Sequence, residues 1–525
     1  MRKIIYTTAR SIACLLMLPM MAFAQLPEPT YGWNLGNTME APDGEGTWAP
    51  AATQDLINSV AAAGFNTVRI PVAWDSHANQ STLEIDPAWL ARVKQVVDWC
   101  YAANLTVVIN SHWDRGWLDE ALDGNVDATV NAKMRSYWTQ IASTFASYDS
   151  KLLFAGANEP PADTAGKMSE LMTYYQTFVD AVRATGGNNA DRWLVLSGPN
   201  TNIDLTDELM NTLPNDPTPG RLAVEVHFYS PYNFSLMSED ASWGKMAYFW
   251  GEGYHHPTRT DRNSDWGDEN WMRSQLQRMK TKFVDNGVPV LLGEFGVILR
   301  KDYQDLTGSD YDLHVASRTY WNRYFVETAN AMGVRPFYWD NGWTGRDAFA
   351  LFDRNTTAVV DQASIRSLTG GAALPPPGGD GIIANGIYKI VSRLSGKALE
   401  VAGLETSNGS NVQQWDYWWG ESQRWVVTHL GNNEYSIIGA QSGKALDVAG
   451  WGTTDGTNVH IWTYGAAANQ KWTISATGDG YYRLSPTHAT SMCLDVNGYS
   501  SENGANMQIW SCHGSDNQQW TFQTP

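Results

Sequence analysis

Cysteine is scarce in this chain, which has four cysteines among 525 residues. The chain also lacks any group of His, Cys, Asp and Glu with the spacing of a metal site, and any glycine-rich loop between a strand and a helix in the phosphate-binding pattern. These absences exclude the zinc sites and nucleotide-binding loops that a sequence can reveal. We therefore expect chemistry that needs no cofactor and no metal.

Basic residues are also in short supply, because 36 Lys and Arg stand against 55 Asp and Glu, for a net charge of −19. A strongly acidic surface repels phosphate backbones and anionic lipid headgroups, so nucleic acid and membrane are not expected as partners. Beyond the N-terminus, every hydrophobic run is broken by charges, Gly or Pro, which argues against a membrane-spanning segment.

Aromatic residues, by contrast, are abundant, with 25 Trp and 23 Tyr. This number exceeds what a core of this size needs. Flat aromatic faces suit the C–H-rich faces of pyranose rings, so the composition favours a neutral, sugar-like ligand over an anionic one.

The first 24 residues have the pattern of an export signal. Arg2, Lys3 and Arg10 come before an apolar stretch at 12–21, and an A-x-A motif ends at Ala24. A membrane anchor would need about 18 or more apolar residues, and this stretch is shorter. We expect cleavage after Ala24 and an extracellular, secreted mature protein.

The cysteines fit an exported chain. Cys14 lies in the signal, whereas Cys493 and Cys512 lie close in sequence and are predicted to form a disulfide. Cys100 lies on an apolar helical stripe, which predicts a buried and unreactive thiol.

A proline- and glycine-rich segment, GGAALPPPGGDG, divides the chain. It predicts a linker at 370–383 between a domain at 25–369 and a domain at 384–525.

In the first domain, short apolar runs alternate with amphipathic helical patterns, which indicates βα units and a parallel sheet. Eight such units favour a (β/α)8 barrel, with a doubly wound open sheet as the alternative. The predicted strands are 31–37, 66–71, 106–111, 152–158, 193–198, 222–228, 288–294 and 336–340.

The second domain repeats itself. KALEVAG at 397–403 recurs as KALDVAG at 444–450 and as MCLDVNG at 492–498, and a Q-x-W triplet ends each repeat at Trp425, Trp472 and Trp520. Repeats of 47 and 48 residues, rich in glycine and without helical periodicity, predict three small β units that close on each other.

Polar or aromatic side chains follow the predicted barrel strands, where catalytic groups of such barrels lie. Glu159 and Glu294 matter most, since each ends an apolar strand and the two would face each other across the barrel mouth. Paired carboxylates are the machinery of glycoside hydrolysis, with retention at a separation of about 5 to 5.5 Å and inversion at about 6.5 to 9.5 Å. The sequence alone leaves that distance open.

These segments together resemble family 5 glycoside hydrolases. The motifs that carry the resemblance are GWNLGNT at 32–38, FNTVRIP at 65–71, VVINSH ending at 112, ANEP at 157–160, HFY at 227–229, GEFG at 293–296 and YWDNG at 338–342. Their ordered combination covers nearly the whole first domain.

The resemblance implies a retaining mechanism with Glu159 as acid/base and Glu294 as nucleophile. It also implies that the negative charge of Glu294 raises the pKa of Glu159 and that Arg69 keeps Glu294 ionised. Asn158 would bind the sugar 2-hydroxyl, and Tyr229 would hold the nucleophile in place. Trp113 stands where many members of the family have a second histidine. The implied substrate-binding residues are Asn34, Arg69, His112, Trp113, Asn158, His227, Tyr229 and Trp339.

Four further tryptophans follow strand ends. They are expected either to stack on neighbouring sugars or to pack in loops, and the sequence does not separate these roles. They are Trp74, Trp113, Trp117 and Trp343.

The second domain resembles the ricin-type β-trefoil of family 13 carbohydrate-binding modules. The third repeat matches the binding pattern fully, whereas His460 replaces Gln in the second and Ser422 replaces Asn in the first. The Q-x-W side chains are expected chiefly to build the core. The implied sugar-binding residues are Asp495, Gln508, Trp510, His513, Asn517, Gln518, Asp447, Trp462, Asn469, Glu400 and Trp415.

The sequence therefore predicts a secreted endo-β-1,4-glucanase that acts as a monomer and carries a second carbohydrate ligand on its trefoil. Licheninase, xyloglucanase and β-mannanase activities remain open within the same fold. A lectin-like protein with an inactive barrel is the hypothesis of a different class.

Overall fold

The computed structural model describes residues 27–374 and 381–525. The predicted export signal at 1–24 and the prolines of the predicted linker lie outside the described residues. Within those two ranges, no helix has both the length and the apolar character that crossing a membrane requires.

Eight parallel strands close into a barrel in chain order, which confirms the (β/α)8 prediction and excludes the open sheet. The strands are β1 (Gly32–Leu35), β2 (Thr67–Ile70), β3 (Thr106–Asn110), β4 (Leu152–Ala155), β5 (Leu194–Ser197), β6 (Leu222–Phe228), β7 (Val290–Phe295) and β8 (Val334–Asp340).

The α-helices of the described barrel residues lie mainly between these strands. They are α1 (Gln54–Ala62), α2 (Pro87–Ala102), α3 (Ala128–Thr144), α4 (Ala165–Ala184), α5 (Ile203–Leu209), α6 (Tyr232–Ser235), α7 (Glu269–Lys282), α8 (Ser309–Ala331) and α9 (Gln362–Leu368).

The strands are apolar because both of their faces are buried. Side chains such as Val108, Leu153, Val195, Leu291 and Phe337 form a cluster of their own, apart from the larger core that includes the helices. A packed barrel of this kind leaves its polar groups at the carboxyl ends of the strands, where the predicted site lies.

The second domain is built from twelve strands. They are β9 (Gly386–Ser392), β10 (Ala398–Val401), β11 (Val412–Trp415), β12 (Trp425–His429), β13 (Glu434–Gly439), β14 (Ala445–Val448), β15 (Thr457–Trp462), β16 (Lys471–Ala476), β17 (Tyr482–Pro486), β18 (Met492–Val496), β19 (Met507–Ser511) and β20 (Trp520–Gln523). Each repeat supplies four strands, and β20 pairs with β9, so the last repeat closes on the first.

A ring of three asparagines, one from each repeat, marks the three-fold closure. The amide of Asn411 donates to Asn506, that of Asn506 to Asn458, and that of Asn458 to Asn411, at 2.8, 2.8 and 3.1 Å. The prediction that three units close on each other is therefore confirmed.

The Q-x-W tryptophans build the trefoil core, as predicted. The indoles of Trp425, Trp472 and Trp520 are fully buried. They donate to the backbone oxygens of equivalent leucines in the three repeats, at 3.0, 2.9 and 3.2 Å.

Both structural predictions for cysteine are confirmed. Cys493 and Cys512 form a disulfide that links β18 to the end of β19. Cys100 is fully buried in α2, and burial raises the pKa of its thiol, so it is unreactive.

Replacing both Cys493 and Cys512 with Ala is expected to lower the free energy of unfolding of the trefoil by roughly 3 kcal/mol. The two cysteines are 19 residues apart in sequence, and a disulfide that closes a loop of this size restricts the unfolded chain. Differential scanning calorimetry should show the trefoil transition at lower temperature and the barrel transition unmoved. Cys100→Ala is the control, because it should move only the barrel transition. An unchanged trefoil transition in the double variant would contradict the prediction.

Candidate functional site

Arg69 lies at the centre of the barrel mouth and is fully buried. Its Nη1 donates to Asn34 Oδ1 and Glu294 Oε1, both at 3.0 Å. Its Nη2 donates to Asn158 Oδ1 at 2.8 Å and lies 2.9 Å from Glu225 Oε1. One rigid, planar cation thus fixes four side chains that belong to four different βα units.

Two irregularities in the sheet aim the reacting groups. The register of β6 against β7 shifts between Val226 and His227, and the register of β7 against β8 shifts around Glu294. Bulges of this kind redirect side chains beside active sites. Gly293 precedes Glu294 in β7, and a Cβ at that position would collide with the carboxylate of Glu225.

The two predicted catalytic glutamates lie together at the mouth. Tyr229 donates its hydroxyl to Glu294 Oε2 at 3.0 Å. His227 Nδ1 lies 2.6 Å from Glu159 Oε1 and 3.7 Å from Glu294 Oε2. A carboxylate oxygen of Glu159 and one of Glu294 lie within 4.8 Å of each other, and retaining enzymes hold their two carboxyl groups about 5 to 5.5 Å apart.

His227 carries a positive charge in this setting. Burial acts against that charge, but Glu294, Glu159 and Glu225 outweigh burial and raise the pKa of His227 to about 9. Glu225 accepts from the other ring nitrogen, Nε2, at 3.1 Å, so the proton on Nδ1 faces Glu159. His227 and Glu159 therefore share one proton across a short hydrogen bond.

This pair corrects one expectation about Glu159. The charge of Glu294 was expected to raise the pKa of Glu159. Burial does act to raise it, but the hydrogen bond and charge of His227, with a hydroxyl from Thr201 at 3.2 Å, lower the pKa below its ordinary value. Of the two partners, Glu159 thus has the lowered pKa and His227 the raised one.

The pKa of Glu294 is raised above its ordinary value. Burial is the largest cause of the rise and Glu159 adds to it, while His227 and Arg69 act to lower the pKa. Glu159, His227 and Glu294 are also the group with metal-like geometry in the parts of the chain that the structure describes. Here the cation among these carboxylates is the imidazolium.

His112 and Trp339 line the same mouth. Their rings are parallel within 5° and 6.1 Å apart, and the Nδ1 of His112 lies 3.2 Å from the Nδ2 of Asn110. Burial, with the charges of Arg69 and His227, lowers the pKa of His112 well below its usual value, so this ring is neutral.

Two predicted substrate contacts are corrected. Asn34 is fully buried, and its amide donates to Gly293 O at 2.8 Å while its oxygen accepts from Arg69. Arg69 is buried with all of its contacts on protein groups. Both residues position the glutamates and do not reach a sugar, whereas Trp113 and Trp339 retain exposed surface.

The sequence reasoning missed Glu225, which holds both Arg69 and His227. A signal was present, because an acidic residue in the middle of the apolar strand LAVEVHF is costly unless it is paired. Thr201, which donates to Glu159, gave no comparable signal.

The four strand-end tryptophans divide between the two open roles. Trp74 is fully buried and donates to Asn110 O at 2.9 Å, and Trp117 packs edge-on against Tyr137. Trp113 and Trp343 are largely exposed. Only the last two have faces available to neighbouring sugars.

On the trefoil, each repeat places a carboxylate beside an exposed tryptophan. In the third, Asp495 accepts from Gln508 at 3.0 Å and from Asn517 at 2.7 Å. In the second, Asp447 accepts from His460 at 2.9 Å and from Asn469 at 3.0 Å. The second site opens into a cavity of about 450 Å³ that is lined by Asp447, Trp451, His460, Trp462 and Asn469.

Two predicted sugar contacts of the third repeat are corrected. Gln518 is fully buried, and its oxygen accepts from the backbone N–H of His513 at 2.9 Å. Asn517 is also buried and holds Asp495. These amides shape the loop and orient the carboxylate, so Trp510 and His513 are the groups that face outward.

Trp451 and Tyr499 were missed as binding residues. They occupy equivalent positions after β14 and β18, and both are more than half exposed. Tyr499 stacks on His513 with the rings 13° from parallel. An aromatic just after each D-V-x-G segment was the available signal.

Comparison with known proteins decides the family. A model described as Cellulase (glycosyl hydrolase family 5) matches residues 33–345. The chain belongs to glycosyl hydrolase family 5. Models of ricin-type beta-trefoil lectin domains match 382–462 and 433–525, so a family 5 barrel is joined to a ricin-type trefoil.

Several relatives resemble the family 5 barrel. Endoglucanase A of Paenibacillus barcinonensis is 34% identical over 371 residues, which are 65% of this chain and 87% of the relative. A xyloglucan-specific endo-beta-1,4-glucanase of Bacteroides ovatus is 35% identical over 359 residues, covering 65% and 68%. A solved family 5 xyloglucan-specific beta-1,4-glucanase from a ruminal metagenomic library, in complex with XXLG, is 39% identical with a TM-score of 0.59, covering 64% and 92%.

Arg69→Lys is expected to lower kcat/KM by roughly 100-fold, since a single ammonium cannot hold four groups from four strands. Arg69 lowers the pKa of Glu294 and burial raises it, so a weaker pairing in the variant should raise this pKa further. The acid limb of the kcat/KM profile should therefore move to higher pH. The pH dependence of hydrolysis measures this shift. Arg354→Lys is the control, because Arg354 is equally buried but pairs with Asp340; an acid limb that moves equally in both variants would refute the assignment.

His227→Gln is expected to move the alkaline limb of the profile to lower pH. The shared proton is lost from the wild-type pair as pH rises through about 9, whereas in the variant it rests on a carboxyl group alone. His314→Gln is the control, since His314 is fully buried in α8 and uncharged, with its pKa lowered to about 3. An alkaline limb unchanged in His227→Gln would show that the pair does not hold the proton.

Proposed function

We propose that this protein is a secreted endo-β-1,4-glucanase that cleaves β-glucan chains with retention of anomeric configuration. The observation that carries the proposal is the pairing of Glu159 and Glu294, with oxygens within 4.8 Å of each other. Retaining hydrolysis needs carboxyl groups about 5 to 5.5 Å apart, so that one attacks the sugar directly while the other protonates the leaving group.

In the first step, Glu294 attacks the anomeric carbon while the bond to the leaving oxygen breaks. Arg69 and Tyr229 hold the two oxygens of Glu294 at 3.0 Å, which aims the nucleophile. The leaving oxygen takes the proton that Glu159 shares with His227, so that a hydroxyl departs and a glycosyl ester of Glu294 remains.

In the second step, water attacks the same carbon. Glu159 is now a carboxylate and accepts the proton of the water, while the ester bond to Glu294 breaks and its carboxylate is restored. Esterification has meanwhile removed one of the negative charges beside His227, which lowers the proton affinity of the ring. Two displacements at one carbon restore the original configuration.

The substrate class comes from the relatives. Their names describe endoglucanases and xyloglucan-specific endo-β-1,4-glucanases, so a β-1,4-glucan backbone is common to both. Xyloglucan is the second candidate as preferred substrate, because two of these three relatives are named for it. The exposed faces of Trp113 and Trp343 offer surfaces for sugars of either polymer.

The remaining parts of the proposal concern the whole chain. The sequence at 1–24 supports export, the trefoil is proposed to bind a second carbohydrate, and the protein is proposed to act as a monomer. An inactive lectin-like barrel is disfavoured because both glutamates, Arg69 and Tyr229 are assembled in one connected network.

Removing each glutamate should give products of opposite configuration. With an activated aryl cello-oligosaccharide and azide, Glu159→Ala should yield the β-glycosyl azide, because azide replaces water on the glycosyl ester. Glu294→Ala should yield the α-glycosyl azide, because azide replaces the nucleophile. Both variants should be at least about 100-fold slower without azide, and NMR of the azides decides. The same anomer from both variants would overturn the mechanism.

A substrate panel tests the specificity. Carboxymethylcellulose, mixed-linkage glucan, xyloglucan and mannan are each digested with the wild type and with Glu294→Ala, and new reducing ends are measured. We expect the wild type to cleave the glucans and the Glu294→Ala variant to show no cleavage. Full activity on mannan with none on glucans would refute the substrate while leaving the chemistry in place.

A further inference from the structure

The first trefoil repeat differs from the other two at its binding position. The three loops are equivalent, since the backbone N–H groups of Trp418, Gly465 and His513 each donate to the glutamine of their Q-x-W triplet, at 2.9, 2.7 and 2.9 Å. The same loop position therefore carries an indole in the first repeat, no side chain in the second and an imidazole in the third.

Trp418 takes over a role that a buried asparagine has elsewhere. In the second repeat Asn469 donates to the carboxylate of Asp447, and in the third Asn517 donates to that of Asp495. In the first repeat, Ser422 stands at that position, and its buried hydroxyl has no hydrogen-bond partner among the described residues. The indole N–H of Trp418 donates to Glu400 Oε2 instead, at 2.9 Å.

The carboxylates of all three repeats are buried, but one of the donors to Glu400 is an indole that itself lies at the surface. Gln413 donates to Glu400 Oε1 at 3.1 Å, and Trp418 donates to the other oxygen while its own side chain is 45% exposed. In the second repeat, a cavity lies beside Asp447. The first repeat therefore adds an exposed indole beside its acid.

Trp419 extends this surface at a conformational cost. Its φ is +65°, and the equivalent Ala466 and Gly514 also have positive φ, so the loop itself demands this backbone region. Bulky residues are unfavourable there, yet Trp419 is 71% exposed and packs little of its ring in the domain. Its stability cost is unexplained unless the exposed ring binds a ligand.

We propose that Trp415, Trp418 and Trp419 form an aromatic platform that binds the pyranose faces along an extended β-1,4-glucan chain, while the second repeat binds a single sugar unit in the cavity beside Asp447. Alternating faces of such a chain present C–H groups that suit exposed indoles. Glu400 and Gln413 at the edge of the platform supply polar contacts for hydroxyls. This inference rests on the proposed function, because it makes the trefoil hold the same polymer that the barrel cleaves.

The test uses the full chain with Glu294→Gln, so that the polysaccharide is not degraded. Affinity electrophoresis in gels with hydroxyethylcellulose or xyloglucan gives the Kd. The double variant Trp418→Ala with Trp419→Ala should bind at least about fivefold more weakly. Leu404→Ala, which removes an exposed aliphatic side chain that also lies at positive φ in the same repeat, should bind as the parent does.

Trp510→Ala is the second control, and free galactose is the competitor. A loss of glucan affinity in the double variant Trp418→Ala with Trp419→Ala, without a change in galactose binding, supports the proposal. Unchanged glucan affinity in that variant, or an equal loss in Trp510→Ala, overturns it. Trp418→Phe, which keeps a ring but lacks the N–H, guards against misfolding, and retained binding in it supports the platform. If the wild type cleaves no β-glucan, the proposed function fails while these affinities still report on the platform.

Discussion

The buried guanidinium of Arg69 is the interaction on which the active site depends. It pairs with two buried carboxylates, Glu225 and Glu294. A buried carboxylate without a partner is strongly unfavourable, so removing the cation would leave both carboxylates to the single charge of His227. The barrel tolerates these two acidic residues inside its mouth because one planar group pairs with both of them.

Glu225 connects Arg69 to Glu159 through the ring of His227. It pairs with Arg69 on one side and accepts from His227 Nε2 on the other, which directs the second ring nitrogen to Glu159. The chain of contacts from Arg69 through Glu225 and His227 to Glu159 thus sets both the position of the acid and the place of its proton. Nucleophile and acid share one electrostatic network, so a charge change at one is felt at the other.

The trefoil separates its structural residues from its binding residues more cleanly. Buried tryptophans and glutamines repeat almost identically in the three units, because each must satisfy the same backbone groups and fill the same core. The exposed positions vary freely: Leu404, Trp451 and Tyr499 are equivalent, as are Trp418, Gly465 and His513. One scaffold can therefore carry three surfaces of different chemistry, and the first repeat uses that freedom most.

The sequence by itself determined the architecture and singled out the two glutamates that we propose as catalytic. Alternating apolar strands and helices admit few folds, and a charge at the end of a buried strand stands out, as at Glu159 and Glu294. Only the tertiary structure decided which of the neighbouring residues are buried against protein groups and which reach the surface. Asn34 and Gln518 match binding motifs but point into the protein, and Glu225 acts through partners far away in sequence. Such roles depend on bulges, burial and contacts between distant strands, none of which a local pattern encodes.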